Sequence, residues 1–108
     1  VTSVILLAAA AITAVAYPGV PVSRSSADGR ALFVQRCGGC HLQGGFGTVT
    51  IARRSPGEPS LLVERHPPAD LVRTVVRNGF RSMPPIRRAE VDDAQLAKIS
   101  AYLGGAGK

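Results

Sequence analysis

Cys37-Gly38-Gly39-Cys40-His41 is the stretch on which the reading of this chain turns. Two cysteines separated by two residues, with a histidine directly after, have the spacing of a haem attachment site. Each thiol adds to one porphyrin vinyl group as a thioether, and the two vinyls lie on adjacent pyrrole rings. Two intervening residues let one turn of chain present both sulfurs. His41 is then carried beneath the porphyrin plane, where its imidazole reaches the iron as proximal ligand. Small residues at Gly38 and Gly39 suit a backbone pressed against a flat group.

Two blander readings of a C-x-x-C compete. A redox dithiol belongs at a strand-to-helix junction of a βαβ unit, and the flanks show no such pattern. A tetrahedral zinc site needs two further ligands, and beyond the two cysteines the chain has only His41 and His66. No other cysteines exist to form a disulfide framework.

The rest of the composition fits a chain that needs such a group. One hundred and eight residues make one domain, 45% hydrophobic but only 5% aromatic and without tryptophan. A chain this short has difficulty burying enough surface unaided. A covalent porphyrin supplies the missing apolar mass. Glycine and proline are frequent from Leu42 to Pro68, which predicts loops wrapped around something rigid. The net charge is +6, with basic residues scattered and no interleaved aromatics. Nucleic-acid binding is therefore disfavoured, and docking to an acidic redox protein is the better use of the charge.

Residues 1–16, VTSVILLAAAAITAVA, are uncharged and apolar, short for a membrane span, and end in the small-x-small pattern Ala14-Val15-Ala16. They read as a signal peptide, with an uncleaved membrane anchor as the alternative, although no Lys or Arg precedes the run. Both predict a domain exported to the periplasm. Residues 17–25 read as a linker and 26–108 as the haem domain.

Within that domain a first helix is expected from about Ala27 to Arg36, capped by Ser25 or Ser26, with Asp28 in its first turn. Gly29 and Phe33 share one face of it. Thr48 to Ala52 is weakly strand-like, and a short helix is expected over Ser60 to Arg65. A backbone carbonyl, with Pro59 or a neighbour as candidate, should accept the Nδ1 proton of His41 so that Nε2 faces the iron. Pro68 to Asn78 forms a helix with a stripe of Leu71, Val72, Val75 and Val76, stopped by Gly79 as a left-handed cap. Phe80 to Ile86 should be extended. It holds Met83, the one methionine, whose soft thioether suits haem iron as the second axial ligand. His66 is the alternative ligand, but histidine before Pro67-Pro68 reads more simply as a polar residue at a helix entrance. Asp92 opens a last helix with a capping box to Gln95 and a staple from Val91 to Leu96. Its stripe of Leu96, Ile99 and Leu103 is expected to cross the first helix at Gly29 and Phe33.

In this order, a helix with Gly29 and Phe33, Cys37 to His41, loops, a helix, Met83-Pro84 and a terminal amphipathic helix, the chain resembles a class I c-type cytochrome. VVRNGFRSMPPI followed by EVDDAQLAKISAYL is similar, more narrowly, to the small cytochrome subunits that serve flavoprotein phenol and alcohol dehydrogenases. The family's Gly-Pro-x-Leu segment appears here only as Gly57-Glu58-Pro59-Ser60-Leu61. The resemblance implies an all-α fold of three to five helices around one covalent haem c. Cys37 and Cys40 would attach it, and His41 and Met83 would ligate its iron. It implies single-electron transfer between a periplasmic dehydrogenase and a downstream acceptor, without an enzymatic role of its own. The competing reading is a haem peroxidase or gas sensor with an open sixth position. Arg77, Arg81, Arg87 and Arg88 flank Met83 and are candidates for a docking rim or for the haem propionates.

Overall fold

A computed structural model describes residues 29–105. The expected signal peptide, the linker and the caps at Ser25, Ser26 and Asp28 lie outside the described residues. Five helices follow one another: α1 (Gly29–His41), α2 (Phe46–Arg54), α3 (Leu62–Arg65), α4 (Ala69–Asn78) and α5 (Asp93–Leu103). Among the described residues the only β pairing is an isolated antiparallel bridge between Phe80 and Met83. The all-α expectation holds.

The core lies where α5 meets α1 and α4. Leu32 and Phe33 come from α1, Val72 and Val76 from α4, and Leu96, Ile99 and Leu103 from α5, with Val91 just ahead of it. The α1–α5 crossing is made at Gly29, where a Cβ would run into the Lys98 carbonyl and stand 2.9 Å from Cβ of Tyr102. Glycine lowers helix propensity, by about 1 kcal/mol relative to alanine. Here it lets two backbones approach closely enough for Phe33 and Tyr102 to meet, ring centroids 5.9 Å apart and tilted. Such a pair contributes about 0.5–1.5 kcal/mol beyond its burial.

α5 starts as its sequence predicts. The Asp92 side chain accepts from the Gln95 amide at 2.8 Å, and Gln95 Oε1 accepts from the Asp92 amide at 3.0 Å. Val91 and Leu96, the two ends of the staple, are both buried in the core.

Four expectations need correction. α1 does not stop at Arg36 but runs through the whole C-x-x-C-H stretch, because Gly38 is buried against Leu42 and the helical bonding continues from Leu42 N–H to the Gly38 carbonyl at 3.0 Å. Thr48 to Ala52 is helix rather than strand. Among the described residues no strand lies beside it, whereas Phe46, Thr50 and Ile51 fall on one helical face. The Gly/Pro-rich region after Leu42 is accordingly less loop than expected. Residues 80–86 are not simply extended. Phe80 and Met83 exchange both backbone hydrogen bonds, at 2.9 and 3.0 Å, across a tight turn with Arg81 at φ 54°. Gly79 does end α4 at positive φ, but at φ 75° and ψ 168°, a region glycine alone occupies readily, rather than as a left-handed cap.

Candidate functional site

The helices present one face each to a common cavity of about 260 Å³. From α1 come Phe33, Cys37, Cys40 and His41, spaced by four, three and one residues, so that one helical stripe carries the whole set. α2 contributes Phe46, Gly47, Thr50, Ile51 and Arg54 at the same periodicity. α4 contributes the expected stripe of Leu71, Val72, Val75 and Val76, and α5 adds Ile99 and Leu103. The turn after α4 closes the wall with Phe80, Arg81, Ser82, Met83 and Pro84. Cys37, Cys40, His41 and Met83 are thus brought together, from two separate elements, around one apolar space.

Exposure follows from that cavity. Phe46, Leu71 and Phe80 are 67%, 53% and 59% exposed, far more than large apolar side chains on a packed surface need be. All three face the cavity. They are the wall of a site shaped for a large apolar group.

The titratable residues fit the same picture. Burial pushes the Cys37 thiol up to about 11, with the neighbouring Cys40 adding to the shift. Dithiol oxidoreductases need the opposite, a thiol depressed toward neutrality. A neutral thioether, in contrast, carries no charge to desolvate. Burial also lowers the pKa of His41, which favours the neutral imidazole that ligates metals. Among the described residues no three His, Cys, Asp or Glu side chains come together as a metal site would require.

Nδ1 of His41 is buried with no partner among the described residues. The Pro59 carbonyl, expected to accept its proton, instead accepts from Arg65 Nη1 at 3.0 Å. Arg65 is held there by Glu58 at 3.2 Å, which fixes that loop to α3 rather than to the imidazole. What lies against the ring is Gly47, at the start of α2. Thr48 beside it is 4% exposed, and its Oγ1 donates to the Leu42 carbonyl at 2.8 Å, with the Cys40 carbonyl at 3.4 Å. Thr48 therefore ties α2 to the end of α1, a role the sequence reading missed. The signal was the helical spacing of its neighbours.

His66 lies elsewhere. It caps α3 in the left-handed region at φ 50°, and its Nδ1 is 3.2 Å from the Leu103 carbonyl. It does not line the cavity. The four arginines around Met83 divide as well. Arg81 lines the cavity and stacks over Phe80, 5.4 Å from the ring centroid. Arg77 and Arg88 turn away to Asp93, at 2.8 and 3.2 Å. Neither they nor Arg87 lines the cavity, whereas Arg54 does.

Comparison with known proteins adds three findings. The family described as cytochrome C oxidase, cbb3-type, subunit III matches residues 24–103. The chain is 32% identical over 76 residues to the 4-cresol dehydrogenase [hydroxylating] cytochrome c subunit of Pseudomonas putida, covering 70% of this chain and 58% of that protein. The chain thus spans little more than half the length of the curated relative. Among solved structures it is similar to a chain of p-cresol methylhydroxylase crystallised with substrate bound, with a TM-score of 0.56 and 30% identity over 77% of this chain and 96% of that one.

Proposed function

Since the chain belongs to the cytochrome c domain family described as cytochrome C oxidase, cbb3-type, subunit III, we propose that it carries single electrons on one covalently attached haem c. The observation that carries this reading is the convergence of Cys37, Cys40, His41 and Met83 on one apolar cavity. In it, Cys37 and Cys40 would hold the porphyrin through thioethers, and His41 and Met83 would supply the protein ligands to its iron. When bound, that group supplies reversible one-electron chemistry at iron, at a potential raised by a methionine ligand relative to a second histidine.

The chain's own residues do the rest. α1 presents its two sulfurs and its imidazole from one helical turn, so their relative positions are set by backbone geometry rather than by loops. The cavity-facing sides of α2 and α4 would line the group and keep water from it. Arg54 and Arg81, the two charged side chains on the cavity wall, would offer guanidinium forks to the haem carboxylates. With His41 and Met83 both serving as ligands, no position at the iron would be left for substrate, and the protein would act as a carrier rather than as an enzyme.

The similarity to a dehydrogenase cytochrome subunit supports a flavoprotein dehydrogenase as donor, with a downstream redox protein as acceptor. The periplasm is the compartment we assign. Among the described residues no helix is long and apolar enough to cross a membrane, and the choice between signal peptide and anchor falls on residues 1–16.

Production in a host that attaches haem, followed by a denaturing gel stained for haem, tests the attachment. A stained band is expected, and it should vanish in the Cys37→Ser, Cys40→Ser protein. A colourless protein with both thiols titratable would overturn the reading. A methionine–iron charge-transfer band in the ferric visible spectrum separates this reading from a peroxidase or gas sensor, because an open sixth position cannot give one.

A further inference from the structure

Arg77 is bonded to three separate parts of the chain. Its Nη1 donates to the Ile86 carbonyl at 3.1 Å and to the Val91 carbonyl at 2.9 Å. Its Nη2 donates to Asp93 Oδ1 at 2.8 Å. Asp93 is itself held from the other side by Nε of Arg88 at 3.2 Å. The Arg77 side chain is only 17% exposed, and its Nε is buried without a partner among the described residues. An arginine buried this deeply, with one donor forgone, is placed by what its two Nη groups hold.

What they hold is the far end of the segment that carries Met83. The exchanged bonds between Phe80 and Met83 fix the shape of that turn, but both partners lie inside it, so they do not fix how it sits over the cavity. Anchorage has to come from outside the turn. Pro84 and Pro85 have no amide hydrogen to give. Ile86 is the first residue past Met83 that can bond through its amide, and it donates to the Val76 carbonyl on α4 at 2.7 Å. Arg77, one residue along α4, takes the carbonyl of the same Ile86. The peptide groups flanking Ile86 are therefore gripped on both sides, and the same guanidinium ties them to Val91 and to the first turn of α5.

We propose that Arg77 is a positioning residue for Met83: by clamping 86–91 between α4 and α5 it sets how readily another ligand displaces the methionine sulfur from the iron. This rests on the reading of Met83 as an axial ligand. A planar fork is required, because one nitrogen must serve two carbonyls while the other meets a carboxylate. Lysine has a single nitrogen for all three.

Imidazole, titrated into the ferric haem-loaded protein while the methionine–iron charge-transfer band is followed, tests the proposal. In Arg77→Met, half-loss of the band is expected at an imidazole concentration at least tenfold below that of the unsubstituted protein. Arg77→Lys should fall between them. A substitution that only loosened the fold would not act locally. Amide exchange at Met83 and Ile86 should therefore accelerate at least tenfold, while amides in the middle of α1 and α5 keep their rates. An unchanged imidazole titration in a folded Arg77→Met protein overturns the proposal. If Arg77→Met does not fold, Arg77→Lys decides: a lowered imidazole concentration supports the clamp, and an unchanged one overturns it. If the unsubstituted protein shows no methionine–iron band, the ligand reading fails first and takes with it the effect on displacement. The exchange rates at Met83 and Ile86 then still report whether Arg77 clamps the segment, and equal rates would overturn that too.

Discussion

Gly47 lies flat against the imidazole of His41: a Cβ at residue 47 would stand 3.0 Å from Cε1 and 3.2 Å from Nδ1 of the ring, and 2.9 Å from the Cys40 carbonyl oxygen. The start of α2 is thus a stop for the histidine. Gly47→Ala would gain about 0.5–1 kcal/mol of helix propensity, but forcing a methyl into this contact costs about 1–3 kcal/mol. We expect a net loss of stability in denaturant titration, together with a shifted Soret band in the haem-loaded protein as the ring is pushed aside.

Thr48→Val keeps the shape of the side chain and removes the hydroxyl that reaches the Leu42 carbonyl. The Leu42 carbonyl keeps the Gly45 amide at 3.0 Å, so the loss is that of one hydrogen bond, about 0.5–1.5 kcal/mol. Thermal unfolding should show the loss. Thr48→Ser, which keeps the donor, should recover most of it.

The two halves of the Asp92–Gln95 box should prove coupled. Asp92→Ala is expected to cost about 1 kcal/mol. In a double-mutant cycle with Gln95→Ala, the combined loss should fall short of the sum of the single losses by about 0.5 kcal/mol or more. Strict additivity in urea unfolding would contradict the reciprocal bonds.

Asp93 gives an acid dependence of definite sign. Hydrogen bonds from Arg77 and Arg88 hold its carboxyl below the ordinary 3.8, against the opposing effect of desolvation. A depressed folded value means that the unfolded chain binds the proton more readily, so the stabilisation is present above the unfolded pKa and is lost as pH falls through the folded one. Urea midpoints should therefore drop more steeply below pH 4 for the unsubstituted protein than for Asp93→Asn. Added salt should shrink the difference, since the carboxylate is exposed.

Much of the architecture could be read from periodicity and caps. The α4 stripe, the α5 box and the meeting of Gly29 and Phe33 with α5 depend on neighbours three and four residues apart, which sequence states directly. α2 was harder, because Thr48, Val49, Thr50 and Ile51 are β-branched and locally favour strand. The cavity-facing spacing of Phe46, Thr50, Ile51 and Arg54 outweighs that preference once a common apolar space exists to be lined. Among the arginines near Met83, Arg77 could not be told from its neighbours, since the partners that occupy it are carbonyls of Ile86 and Val91, which no side-chain pattern advertises. The histidine's neighbour was misjudged for a similar reason: the Pro59 carbonyl is taken by Arg65, a competition set by α3 rather than by the loop itself.

The bareness of Phe46, Leu71 and Phe80 has a consequence for how this polypeptide comes into being. The haem proposed for this cavity would cover all three, and without it they would add to an exposed apolar patch, which favours sticking to other chains over remaining dispersed. Maturation and dispersal would then be coupled, and cells short of the prosthetic group should accumulate clumped or degraded polypeptide.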